Sequence, residues 1–375
     1  MKKLISLLLA ITLLVACFTG CSSTGTAEST PGTAESKTES TVPTAPQPVK
    51  EFTAEDVLGC WYAADRDGSI CSLRISGSND EYSIVRSRFG YDDDQCDFGI
   101  FMIRPTQDEN GNSAGSIGVA MLGALNGETV DTQPANIKLM DDGTLLYRPV
   151  YLYLEELSAA IEAEAPEEEL QAIASQYDMY FSRELPVTSF EVTDTTLQGL
   201  WYSEAENNAA LLMATADGSF VMWQTDDGDA YPTTGVYEQS ANGFVFTAKT
   251  VEGEAYTDAD AAVIFTLNED NALTDSETMV LNPLQSGVFG KWTAEDNGQT
   301  MTLEITEYGM FRLSMGSNEA VGVCFTDGSE ISLLYLMNGG YADYDLDVTG
   351  TVESDGSLAL VNNGESRLFT PLKQG

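Results

Sequence analysis

Polar and apolar residues alternate with a period of two through Thr300-Met301-Thr302-Leu303-Glu304-Ile305, Phe244-Val245-Phe246 and Tyr344-Asp345-Leu346-Asp347-Val348. Successive side chains of a β-strand point to opposite faces, so the pattern predicts strands with one face buried and one wetted. Asp67-Gly68, Asn242-Gly243 and Asp355-Gly356 interrupt it, and such pairs supply the positive φ that tight hairpin turns need. Antiparallel meanders of about seven or eight short strands follow. One stretch departs from the pattern. Between Leu152 and Glu184, Leu, Ile and Ala recur at helical spacing, and Pro166 precedes Glu167-Glu168-Glu169. Proline has no donor to lose at a helix start, and carboxylates there face the positive end of the dipole. Two short helices are predicted, over 151–165 and 166–181.

The strands repeat in a fixed order. Gly59-Cys60-Trp61, Gly199-Leu200-Trp201 and Gly290-Lys291-Trp292 each open a stretch in which a strand centred on Leu73, Leu212 or Leu303 comes next. A turn glycine follows at Gly77, Gly218 or Gly309, then an aromatic strand holding Tyr82, Phe220 or Phe311. Each stretch closes on an apolar strand with a proline, Pro149, Pro283 or Pro371, at 88, 82 and 79 residues from its tryptophan. The fold class expected is therefore mainly β: three tandem units at 51–150, 187–285 and 286–375, with a helical connector at 151–186. The connector is too acidic for a membrane-surface helix, since Arg183 is its one basic residue.

A glycine two residues before a tryptophan, opening an antiparallel meander, resembles the first strand of lipocalin-like barrels. The resemblance implies that Trp61, Trp201 and Trp292 are core plugs, each closing one end of a small barrel. It also implies an arginine from the last strand lying across the indole. Arg148 and Arg367 stand at the matching places, and the middle unit has no arginine near Pro283. A barrel of about 85 residues has strands of roughly 5–7 residues and an interior just filled by its own side chains. Binding is then expected at open rims or between units and not in a deep pocket.

The amino terminus carries an address. Lys2 and Lys3 precede an apolar run from Leu4 to Val15, too short to span a bilayer and shaped like an export signal. Leu14-Val15-Ala16-Cys17 and Phe18-Thr19-Gly20-Cys21 both resemble the lipobox of bacterial lipoproteins. That resemblance implies a signal at 1–21, a lipid on Cys17 or Cys21, and attachment to the outer face of the bacterial cytoplasmic membrane. Residues 22–50, rich in Ser, Thr and Pro, have too little apolar surface to fold and read as a disordered tether.

Charge narrows the partners. With 59 acidic and 17 basic side chains the net charge is -42, which excludes nucleic acid as a partner on electrostatic grounds. Residues 191–285 hold 17 acidic residues against Lys249 alone; a solvating surface is the main reading, with weak divalent-cation binding open at Asp92-Asp93-Asp94 and Asp226-Asp227-Gly228-Asp229. Asp108-Glu109-Asn110-Gly111-Asn112 begins like a calcium loop but has Ser113 where glycine is needed. The chain has no histidine, which removes imidazole-based triads and His-ligated metals. Cys60, Cys71, Cys96 and Cys324 form no CxxC pair; a Cys60–Cys71 staple and buried free thiols are both open. Tyr202, Tyr231 and Tyr237 either pack on sheet faces or stack on sugars. No catalytic, cofactor or metal residues are assigned. The expectation is a lipid-anchored binding or presentation module for a small molecule, glycan or protein, and the alternative is a hydrolase of cell-surface polysaccharide using two carboxylates.

Overall fold

The computed structural model describes residues 46–49 and 52–372, apart from short internal stretches of which 90–96, 102–105, 108–112, 125–132, 257–261 and 339–346 are the longest. The described chain is mainly β and divides into two bodies: the described parts of 58–101, 120–133 and 179–372 form the larger, and those of 46–57, 102–119 and 134–178 the smaller. Asp92–Asp94, Cys96 and Asp108–Asn112 lie outside the described residues.

Two closed eight-stranded antiparallel barrels occupy the stretches opened by Trp201 and Trp292. The middle barrel runs from Leu197–Ala205 to Val280–Pro283, and the C-terminal barrel from Gly290–Asp296 to Glu365–Pro371. Their closures are the same. Trp201 lies opposite Pro283 in the backbone register, and Trp292 lies opposite Pro371. The Trp-to-Pro spacing legible in the chain is thus the seam at which first and last strands pair. The ladder runs one residue past each proline, the Leu284 and Leu372 amides donating to the Leu200 and Lys291 carbonyls at 2.8 Å, so the proline sits in a pair that asks no donor of it toward the first strand.

The glycine of each motif has a local cause. At Gly290, with φ of 142°, an added Cβ would lie 3.3 Å from Cη2 of Trp292; at Gly199 it would lie 2.6 Å from Phe190 and 3.3 Å from Cη2 of Trp201. In both barrels the indole folds back over the glycine, so that an added Cβ would sit tighter than ordinary contact, on a backbone whose positive φ already favours glycine. Each indole N–H then donates to a turn carbonyl: Trp201 to Asn271 and Trp292 to Gly356, both at 3.0 Å.

Finer details repeat as well. Both barrels carry a bulge, between Thr234 and Gly235 and between Val321 and Gly322. At each bulge glycine a Cβ would strike a neighbouring carbonyl at about 2 Å and the ring of Phe220 or Phe311. The turn glycines also correspond, Gly218 accepting from the Tyr237 amide and Gly309 from the Cys324 amide.

The fillings differ. Inside the middle barrel Phe220, Tyr237, Phe246 and Phe265 pack edge to face or stacked, with centroids 5.0–5.4 Å apart, a favourable aromatic arrangement. The register places Phe265 opposite Phe244, whereas Gly350 lies opposite Ile331 in the C-terminal barrel. One barrel has a phenylalanine where the other has a glycine.

A small N-terminal sheet completes the larger body. Gly59–Ala64, Ile70–Ser78, Glu81–Arg88 and Asp97–Phe101 pair in sequence, and the last pairs with 120–124. Trp61 is opposite Leu73, as Trp201 is opposite Leu212 and Trp292 opposite Leu303. The segment on its other side is a correction to the reading that Pro149 ends the closing strand. Tyr62 bridges to Ser182, the place that Asn282 and Thr370 take beside the other two openings.

These three β pieces share a core. Cys60, Tyr62 and Ile70 meet Leu200, Leu211, Met213 and Trp223, together with Met310, Val321, Val323 and Leu336. Strand Asn208–Ala214 shows how: Ala210, Leu212 and Ala214 fill its own barrel, while Leu211 and Met213 enter the shared cluster. A strand buried on both faces loses polar alternation and becomes a continuous apolar run.

In the smaller body, Pro48 bridges to Met140 and Gln133–Leu139 pairs with Leu145–Pro149. Helices Leu154–Glu162 and Glu167–Ser175 pack on each other through Tyr153, Leu157, Leu170 and Ile173. Both are shorter than the pattern predicted. Met179–Phe181, expected as helix, is a strand whose residues are alternately buried and exposed.

Candidate functional site

The C-terminal barrel has a hollow at one end; Gly350 does not line it, since the space above that glycine is taken by Leu360. The barrel's tryptophan end is sealed by Trp292. Near the other end, beside the hairpin turns after Asp296 and Asn362, lies a cavity of about 400 Å³, within the size range of small-molecule sites. This corrects the expectation of a filled interior. Met301, Leu313, Tyr335, Val348, Leu360 and Phe369 make its apolar walls, and Asn362, Glu365, Ser366 and Arg367 its polar mouth. The arrangement can desolvate an apolar body while a polar head stays at the rim.

Arg367 is positioned within that rim. Its guanidinium lies 3.1 Å from Asp296 Oδ1 and 3.0 Å from Met301 Sδ. The expected contact across Trp292 is replaced by these two, because the Asp296 carboxylate stands at the same hairpin end as Arg367.

The arginine stacked on Trp61 is Arg183, 3.9 Å from the ring centroid, and its Nη2 donates to the Leu58 carbonyl at 2.8 Å. Arg148, placed there by the resemblance, makes a two-pronged pair with Asp178 at 2.5 and 2.7 Å. The strand order explains the exchange: the segment beside Tyr62 is the one ending at Ser182, so Arg183 is next to the tryptophan. The signal was available, since Arg183 is the one basic residue of the connector.

A polar cluster sits against the shared core. The buried Tyr62 hydroxyl donates to Glu319, and Arg312 lies 3.4 Å from the same carboxylate. Arg312 also stands 5.7 Å from the Tyr62 ring and donates to the Arg183 carbonyl at 2.9 Å. Burial, then the Glu319 charge, pushes the Tyr62 hydroxyl well above the usual tyrosine range, so it stays a donor. These contacts tie the N-terminal sheet to the C-terminal barrel.

Cys60, Cys71 and Cys324 are buried free thiols. Cys60 shares the face of Tyr62, while Cys71, opposite Ala63, lies on the face of Trp61. The two sulfurs point to opposite sides of the sheet, which rules out a staple between them. Burial pushes Cys60 and Cys71 up to about 12 and Cys324 to about 11.

Tyr237 is a packing residue: its hydroxyl bonds to Leu197 and Thr215 backbone groups at 2.6–3.0 Å. Tyr202 packs edge-on to Phe325 at 4.8 Å. Asp226 and Asp229 are partners in the backbone register. Among the described residues, no group of three or more acidic or cysteine side chains gathers to hold a metal ion. No helix among them is long and apolar enough to cross a membrane. Compared with known protein families and with curated protein sequences, the chain matches none.

Proposed function

We propose that this chain is an exported, lipid-anchored binding module whose ligand enters the mouth of the C-terminal barrel, and that three lipocalin-like units, not two, make up its folded part. The cavity of about 400 Å³ carries the reading. The middle barrel shares the strand order but packs aromatic rings in its interior, which suits a spacer. The Trp61 opening, with its register to Leu73 and its bridge from Tyr62 to Ser182, supports counting the N-terminal sheet as a third unit with helices inserted before its last strand.

N-phenyl-1-naphthylamine, a neutral apolar dye, should brighten on binding to the wild-type protein. Met301→Trp fills the cavity and should abolish the signal while leaving the melting curve cooperative. Equal fluorescence from both proteins would remove the barrel mouth as the site.

Anchorage is tested separately. Replacing Cys17 and Cys21 together by alanine should move the protein from the membrane fraction to the soluble fraction of expressing bacteria. Retention of the double variant in the membrane would mean that the anchor is not a lipid on either residue.

A further inference from the structure

From the charge placement around the cavity, and resting on the binding reading above, we infer that the C-terminal barrel selects small amphiphiles with a cationic head group over neutral or anionic ones of equal length. Residues 290–372 contain thirteen acidic and three basic side chains. All three basic residues already face a carboxylate: Lys291 with Glu304 at 3.0 Å, Arg312 with Glu319 at 3.4 Å, and Arg367 with Asp296 at 3.1 Å. An anionic head arriving at the mouth would find Arg367 already neutralised by Asp296 at 3.1 Å and would be repelled by that carboxylate. It would also meet Glu365, which is exposed at the rim.

A cationic head has the opposite balance. Glu365 offers a solvent-facing carboxylate beside the entrance, and the surrounding acidic excess lowers the energy of any cation there. The apolar walls, including the rings of Tyr335 and Phe369, receive the hydrocarbon body whichever head is attached. Head-group charge therefore sets selectivity while the cavity sets affinity.

Calorimetric titration of the full chain with n-octylammonium, 1-octanol and octanoate at neutral pH and low salt tests this, each ligand kept below its aggregation threshold. One exposed charge contact amounts to about fivefold in affinity. Octylammonium should bind about fivefold tighter than octanol, and octanoate weaker than octanol. Added salt should compress these differences by screening. Glu365→Gln, a change at an exposed position, should bring octylammonium close to octanol. If octanol and octylammonium bind equally to the wild type, or octanoate binds tightest, the charge inference is overturned while the cavity stands as a site. Should none of the three bind, the cavity itself is not a ligand site and both readings fall.

Discussion

Trp201→Ala and Trp292→Ala should each cost about 3–5 kcal/mol, the usual loss for emptying a tryptophan-sized core position. Trp201 is completely buried and Trp292 nearly so. Each also donates to a turn carbonyl, and truncation leaves that acceptor without its donor. A loss of this size is a large fraction of the stability of a typical domain. Urea unfolding would register it as a fall in midpoint. Phe289→Ala is the matched control: the ring is 62% exposed, and its removal should change stability by no more than about 0.5 kcal/mol. Tryptophan variants as stable as this control would show that the indoles do not close the barrels.

Stability should fall steeply in alkali. Burial pushes the thiols of Cys60, Cys71 and Cys324 up to about 12, 12 and 11 from the ordinary thiol value of 9.0. A raised folded pKa means that the native state holds its proton more tightly than the unfolded chain. The resulting stabilisation is intact below about pH 9 and is lost as pH climbs towards 11–12, at about 1.4 kcal/mol per pH unit for each thiol. Tyr62, raised well above its usual range, adds to the loss at the upper end of that window. Melting curves from pH 8 to 11 should show the drop, and a variant with all three thiols changed to alanine should show a shallower one. A wild-type melting temperature that stays level through pH 10 would contradict the buried placement of these groups.

Local chemistry made much of the fold legible in the sequence. Period-two alternation marks strands because only one face of each is wetted, and Thr300 to Ile305 alternates as the strand Gln299–Ile305 does. The Gly-x-Trp openings and their prolines marked the seams of the two closed barrels, since the glycine answers to the indole above it and the proline to the strand end. Three other features depended on which segments become neighbours. Pro149 carried the same sequence mark as Pro283 and Pro371, yet the bridge to Tyr62 comes from Ser182, so Arg183 and not Arg148 covers Trp61. A Cys60–Cys71 staple and free thiols were both open until the register put the two residues on opposite faces.

The candidate site was hidden for a related reason. A cavity is a difference between the volume a barrel encloses and the volume its side chains fill, and its walls, from Met301 to Phe369, come together only once the strands are assembled. Alternation, turn chemistry and the repeated tryptophans determined by themselves that this chain forms small antiparallel barrels. Which arginine meets which ring, which faces pack together and which barrel keeps an opening were decided by tertiary structure, because each depends on contacts between residues far apart in the chain.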